Sequence, residues 1–329
     1  MALAREHHTV PETALAPQVK NFLGRIPFGR LGLRIGAGIR PLLRKVRDPI
    51  QHKAWIRQFV LPLRNAVLLN RPLAVSFCEI PVFLAPQGST AGNLWAGLCR
   101  ERHDVSFVLG VLEPGMTFFD VGASAGLLAI SAAKKLGGKG VFAFDACSST
   151  CELLKRNLRL NDLSGVHVAQ IAFSDSAGEG TLQLNARGRD GLNTLGQATH
   201  PDSRVVAQEK VRIATVDAFL KEHKIARVDV MKIDVQGAEL RVLRGAQKLL
   251  ERDDAPVLVY EGYGHTTRGF GYHPVEILWF LESCGYSFLS LNDLTGEISE
   301  LKPDYQYDST VIAAKPAHPA FEELRGRLK

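Results

Sequence analysis

The chain has 329 residues, 46% of them hydrophobic, so it can bury a sizeable core, and disorder throughout is excluded. Its net charge of +6 originates entirely at the start: residues 1–71 hold 13 Lys/Arg and 3 Asp/Glu, and the remainder has a balance of −4. A nucleic-acid groove in that larger part is disfavoured, because tracking phosphates needs a basic face there, and no nucleic-acid partner is expected.

The first 17 residues, MALAREHHTVPETALAP, contain no apolar core of a secretory signal, and no run approaches the ~18–20 apolar residues of a spanning helix. Five scattered cysteines form no C-x-x-C and have no histidine at zinc spacing, so no zinc site is expected and a reducing, cytoplasmic setting fits. No dense carboxylate cluster argues for another metal, though Asp234 with Glu261 could hold one Mg²⁺. From Phe22 to Arg47 no acid occurs. On a helical wheel Leu31, Ile35, Ile39, Leu42, Leu43 and Val46 gather on about a third of the circle, with Arg30, Arg34, Arg40, Arg44, Lys45 and Arg47 on the rest. That pattern suits peripheral contact with an anionic membrane through residues 22–47, on the inner face. Gly32, Gly36, Gly38 and Pro41 weaken such a helix, and packing of the apolar stripe on the acidic remainder is the alternative. Residues 48–71 read as helical.

A strand pair at Leu73–Phe77 and Pro81–Leu84 and a helix near Ala91–Leu98 or Val105–Leu112 lead into alternating elements. Strands are predicted at Thr117–Val121, Val141–Phe144, Val166–Phe173, Val228–Ile233, Pro256–Tyr260, Tyr286–Leu291 and Thr310–Ala314. Helices fall at Gly126–Leu136, Ser148–Leu160, Gly237–Leu250 and Pro274–Cys284, and an insertion from Ser174 to about Lys210 carries hairpin strands Gly180–Leu184 and Lys210–Ile213. This rhythm predicts an α/β, doubly wound, mostly parallel seven-stranded sheet with helices on both faces and an N-terminal helical extension. The division expected is a basic extension 1–75, a lead-in 76–112, a catalytic domain 113–315 and a tail 316–329.

Four places carry chemistry. Asp120-Val-Gly-Ala-Ser-Ala-Gly126 joins a buried strand to a helix; Gly122 permits a tight turn, and the helix N-terminus offers free N–H groups to an anionic group. Its G-x-x-x-G spacing differs from the dinucleotide fingerprint G-x-G-x-x-G, which argues against a nicotinamide dehydrogenase. Asp145, 23 residues past Gly122, is placed to accept from ribose hydroxyls, and its position before a helix equally suits an N-cap. Asp234, in Lys232-Ile-Asp-Val-Gln-Gly-Ala-Glu239, ends a central strand where ligands bind in open sheets. Glu239, in the next helix's first turn, fits a functional acid and a dipole-favoured one equally. Glu261 ends the fifth strand and precedes Gly262–His273, four glycines among whose first ten residues predict a mobile loop over the sheet edge.

FFDVGASAG, VFAFDA, AFSDSAGEGTL, ATVDAFL and VMKIDVQGAELRVLRGA, in this order and spacing, resemble the FkbM-type methyltransferases over roughly Asp104 to Lys315. The resemblance implies a class I, Rossmann-like methyltransferase fold, S-adenosyl-L-methionine as cofactor, and methylation of a hydroxyl on a glycan, glycolipid or natural-product-like small molecule. It implies that Asp120, Gly122 and Gly126 cradle the methionine part, that Asp145 holds the ribose, and that Asp234 lies near the methyl centre. Ala123, Ser124, Ala146 and Ala172 complete the expected cofactor-binding set. The sequence departs from the family in having Ser124 for Asn, Asp145-Ala146 for Glu-Pro and Gln236 for Glu. A hydroxyl acceptor must lose its proton, and Asp234, Glu261 and His265 are the candidate bases, in that order. The alternative is a non-catalytic binding protein or scaffold on a methyltransferase fold. Neither the acceptor's identity nor the oligomeric state is legible in the sequence.

Overall fold

The computed structural model describes residues 72–86, 90, 91, 94, 102–186, 189–293, 295–301, 309–319 and 321. The basic segment 22–47, the helix expected at 48–71 and most of Ala91–Leu98 lie outside them. The chain divides into two units, 1–69 and 70–329, and the described residues belong to the second. No helix among the described residues is long and apolar enough to cross a membrane.

The strands, in chain order, are β1 (Leu73–Phe77), β2 (Ile80–Leu84), β3 (Phe118–Val121), β4 (Val141–Asp145), β5 (His167–Gln170), β6 (Ala172–Phe173), β7 (Gly178–Asn185), β8 (Val205–Ala214), β9 (Val230–Ile233), β10 (Val257–Gly262), β11 (Ser287–Leu291), β12 (Ile298–Glu300) and β13 (Ser309–Ala314). The central sheet has eight strands in the order β12-β11-β13-β10-β9-β3-β4-β5, with β13 antiparallel to both its neighbours and the five strands from β10 to β5 parallel. All seven predicted strands are present, and the short edge strand β12 is an eighth that the sequence reading lacked. Every residue of β3 and β9 is buried, as central parallel strands covered on both faces require.

The described helices are α1 (Arg102–Val111), α2 (Leu127–Leu136), α3 (Ser148–Leu160), α4 (Val216–Glu222), α5 (Glu239–Arg244), α6 (Gln247–Leu250), α7 (Gly264–Thr267) and α8 (Val275–Ser283). On one face of the sheet, Leu127, Ile130 and Leu154 pack with Val105, Val108 and Phe118. On the other, Phe219, Leu240, Leu243 and Leu278 pack with Phe119, Phe144 and Met231. The β1–β2 hairpin stands apart from the central sheet and is stitched to α3 by two asparagines. Asn157 Oδ1 accepts from Ala85 N at 2.7 Å, and Asn161 Oδ1 accepts from Phe83 N at 2.9 Å. Amide side chains thus satisfy backbone groups that a free strand edge would leave open.

Three expectations are corrected. The strand read as Val166–Phe173 is two: Ile171 N donates to Asp145 O, β5 ends on the central sheet, and β6 turns away to pair with β8 in a three-stranded sheet β6-β8-β7. The helix read as Gly237–Leu250 breaks at Gly245, whose carbonyl accepts from Asp217 N, while the Asp217 carboxylate takes Lys248 N and Leu249 N. A Cβ at Gly245 would lie 2.0 Å from Ser174 O, so the break follows from close backbone approach rather than from helix propensity. The third is the segment after Glu261. Its glycines read as a loop, but residues 264–270 form α7 and a 3-10 turn packed on the insertion, with Gln197 N donating to Gly269 O.

Candidate active site

Chain order reverses between β3 and β9: from β3 the sheet grows through β4 and β5, and from β9 it grows the other way. At this switch point the connecting segments diverge and leave a crevice at the carboxyl ends. A cavity of about 200 Å³ occupies it, and a second of about 30 Å³ adjoins it, the two sharing Thr90, Gly122, Ser124 and Asp234 in their walls.

The glycine turn forms the floor. Gly122 N and Ala123 N both donate to Phe144 O, which ties the turn to β4, and Gly122 has φ 86°. A Cβ there would lie 1.8 Å from Asp234 O, so glycine is needed for close approach as well as for conformation. Ser124 has φ 51°, in the left-handed region where the family's usual Asn enters more readily than Ser. The N-cap of α2, Gly126, supplies no side-chain cap, so the helix start keeps N–H groups available beside the cavity.

Asp145 lies ahead of the helix rather than at its N-cap, which is Cys147 and has no side-chain cap bond. Its Oδ1 accepts from Cys147 N at 2.9 Å and its Oδ2 from Ser124 N at 3.1 Å, fixing the start of α3 and the glycine turn together. It also lines the larger cavity. Burial pushes its carboxyl up to about 6, partly opposed by those two N–H donors.

Asp234 is held on both oxygens. Lys232 Nζ donates to Oδ2 at 3.2 Å and Gln236 Nε2 to Oδ1 at 2.9 Å. The family's usual Glu at 236, when ionised, has no donor to offer. Gln236 has φ 54°, and its carbonyl accepts from Thr194 Oγ1. The turn is clamped from behind by Glu239, whose Oε1 accepts from Val235 N and Gly237 N. Glu261 shares the cavity wall with Asp234. Burial, and then the neighbouring Asp234 charge, hold its carboxyl well above the usual range.

The structure brings Gly122, Ser124, Asp145, Ala146, Ala172, Asp234 and Glu261 to the larger cavity, with Asp120 and Ala123 lining the smaller. It does not bring His265 there: that ring lies against His200 at 4.8 Å and Tyr263 at 5.4 Å. The sequence reading missed Asp190, Gly191, Asn193, Thr194 and Leu195, the far wall. They lie in the insertion, where no strand–turn–helix pattern marks them. Among the described residues no His, Cys, Asp and Glu group forms a metal-holding set.

Burial also raises Glu239, to about 7. A carboxyl raised in the fold gives stability present below its unfolded pKa and lost as pH rises through the folded one. Between pH 4 and pH 8 the chain is therefore expected to lose roughly 3 kcal/mol more stability than Glu239→Gln. Urea unfolding at both pH values checks this, and equal losses in the two proteins would refute it.

The residues fit adenosylmethionine. Asp145, Asp190, Asp234 and Glu261 line the larger cavity and Asp120 the smaller, with Lys232 the cation among the described lining residues. Such an acceptor set suits a cation bearing ribose hydroxyls, and the open start of α2 suits its carboxylate.

The Methyltransferase FkbM domain matches residues 120–288. Methyltransferase sdnD of Sordaria araneosa is 30% identical over 212 residues, which cover 56% of this chain and 76% of that protein. The 31-O-demethyl-FK506 methyltransferase FkbM of Streptomyces tacrolimicus is 29% identical over 201 residues, covering 49% of this chain and 74% of the relative. A solved structure, methyltransferase FkbM from Methylobacillus flagellatus KT, is similar at 14% identity and a TM-score of 0.39, over 79% of this chain and 60% of that one. With the matched family segment carrying the glycine turn, Asp145, Asp234 and Glu261 on a doubly wound class I sheet, the chain belongs to the FkbM methyltransferase family and is an S-adenosylmethionine-dependent methyltransferase.

Proposed function

We propose that this enzyme methylates a hydroxyl oxygen of a glycan, a glycolipid or a natural-product-like small molecule. The observation that carries the reading is that one cavity joins the glycine turn and Asp145 to two carboxyls, Asp234 and Glu261, the second held well above the usual carboxyl range by burial. The Streptomyces tacrolimicus relative is named for a 31-O position, which supports an oxygen acceptor.

Asp120, Gly122, Ala123, Ser124 and Gly126 hold the methionine portion of the cofactor, Asp145 accepts from the ribose hydroxyls, and Ala146 and Ala172 line the nucleoside side. Adenosylmethionine, when bound, supplies an electrophilic methyl group on a sulfonium. The chain's work is to hold the acceptor oxygen within ~3–3.5 Å of that methyl and in line with it. Asp234 takes the hydroxyl proton as the oxygen–carbon bond forms. Glu261, kept protonated by burial and by Asp234, donates a hydrogen bond to the acceptor instead of taking its proton. His265, off the cavity wall, ranks behind Asp234 as a base.

The test is incubation of the chain with adenosylmethionine and a library of hydroxyl compounds, with products read by NMR. An O-methyl signal supports the reading; consistent N-methylation, or cofactor binding with no transfer to any hydroxyl, overturns it. Asp145→Ala is expected to weaken calorimetric binding of adenosylmethionine by ~1.5–3 kcal/mol, because charge-assisted hydrogen bonds are lost. Unchanged affinity would remove the ribose assignment.

The basic, apolar segment 22–47 supports peripheral contact with an anionic membrane, which would present a lipid-linked acceptor. Co-sedimentation with anionic vesicles should fall at high salt, and should fall when Arg30, Arg34, Arg40 and Arg44 are changed to Glu. Equal pelleting of the two chains would eliminate the contact.

A further inference from the structure

Lys232 is a buried lysine in a central strand, and the register explains its surroundings. It pairs with Asp120 on β3 and with Val259 on β10. Alternation along β9 turns it to the face where Val230, Val257 and Val259 pack, opposite to that of Met231 and Ile233. Helix α1 covers this face and contributes Asp104, whose Oδ2 lies 4.0 Å from Lys232 Nζ. The same Nζ lies 3.2 Å from Asp234 Oδ2. Side-chain exposures of 8% for Lys232, 7% for Asp104 and 20% for Asp234 leave little water to screen the three charges. One buried ammonium therefore stands within 4.0 Å of both of these carboxyls. One of these, Asp104, precedes the family-matched segment, and neither it nor Lys232 was among the expected site residues.

We propose that Asp104 and Lys232 are positioning residues that set the proton affinity of Asp234: with Asp104 neutral, the Lys232 charge bears more fully on Asp234 and keeps it a weak base, and ionisation of Asp104 offsets that charge and makes Asp234 a better proton acceptor. The other charged and titratable groups facing this set are Asp120 on β3, Asp145 on β4, Glu239 on α5, Glu261 on β10 and Asp293 after β11. Burial pushes Asp104 up to about 6, with Lys232 opposing the rise and Asp234 and Asp293 adding to it. The switch therefore operates between mildly acidic and neutral pH, where a cell's pH can move it. The inference rests on the reading of Asp234 as the proton acceptor.

The test uses the full chain without cofactor, labelled with 13C at the aspartate carboxyls and titrated by NMR, with the Asp104 and Asp234 signals assigned by their loss in Asp104→Asn and Asp234→Asn. Lys232→Met is expected to raise the midpoints of both carboxyls by about 1 pH unit or more, since each loses its cation. Asp234→Asn should lower the Asp104 midpoint, and Asp104→Asn should remove from the Asp234 signal the inflection near pH 6 that Asp104 imposes. Independent titrations, with no midpoint moved by either partner's substitution, overturn the inference. Should Lys232→Met fail to fold, the two Asn variants, which keep size and shape, decide alone. Once an acceptor is in hand, the rate should climb through the Asp104 titration in the parent and lose that limb in Asp104→Asn, which a purely structural role would not produce. Coupled titrations in a chain whose Asp234→Asn variant still transfers methyl overturn the proposed role of Asp234, and are thereby distinguished from failure of the coupling itself.

Discussion

Gly122→Ala is expected to lose calorimetrically detectable binding of adenosylmethionine and to unfold at markedly lower urea than the parent. Two penalties act at this position. An alanine at φ 86° sits in the left-handed region, worth ~1–2 kcal/mol. Its Cβ would also be placed 1.8 Å from the Asp234 carbonyl oxygen, a backbone atom that cannot rotate aside. Relief requires the ends of β3 and β9 to separate, disturbing the hydrogen bond from Asp234 N to Val121 O and the cavity that opens above it. The combined cost is of the order of 3 kcal/mol or more. Gly115→Ala is the control, because Gly115 has φ 91° with nothing within 4 Å of an added Cβ. It should show the conformational penalty alone and bind cofactor normally. Equal destabilisation by the two substitutions would mean that the close approach at Gly122 contributes nothing.

Asp234→Asn should cut methyl transfer by about 10²–10⁴-fold, the usual contribution of a positioned general base, while leaving adenosylmethionine affinity within about tenfold. Asparagine keeps the side chain's shape and one carbonyl oxygen, and it removes the proton-accepting carboxylate. Lys232 retains Asp104 as a partner, so the change does not strand a buried cation. Initial rates with an acceptor from the hydroxyl screen, beside calorimetry on the same protein, separate catalysis from binding. A variant that keeps more than about a tenth of the parent rate would place the base elsewhere, since even the low end of that range is larger. Glu261→Gln should have a smaller effect on rate, because a carboxyl held protonated is already a neutral hydrogen-bonding group.

Much of this protein was written locally. A buried apolar run before a glycine turn specifies a parallel strand, and FFDVGASAG and VFAFDA therefore announced β3, β4 and the cofactor's side of the site. The positions of Asp145, Asp234 and Glu261 followed from the same rule, each being the acid that ends a strand of the parallel set. The place of Asp145 on the cavity wall was legible, whereas the N-cap read there falls to Cys147, whose N–H Asp145 accepts.

Tertiary structure decided what depends on approach between distant backbones. Gly245 reads as a tolerated helix glycine, yet it breaks the helix because Ser174 passes against it. Gly237 read as a helix start and Gly269 as part of a loop, and they instead let Thr266 of α7 and Gln197 of the insertion approach the backbone closely. Asp190 and Thr194 reach the cavity only because the β7–β8 hairpin folds back over it. Lys232 read as a flank of the Asp234 motif, and its pairing with Asp104 needed the register of three strands and a helix laid across them. Sequence alone determined the parallel core of the sheet, the glycine turn and the acids at its carboxyl edge, because hydrophobic period and turn chemistry act within a few residues. The far wall of the cavity and the charge balance around Asp234 were settled only in three dimensions, because Coulomb interactions and close packing depend on separation in space, which spacing along the chain does not encode.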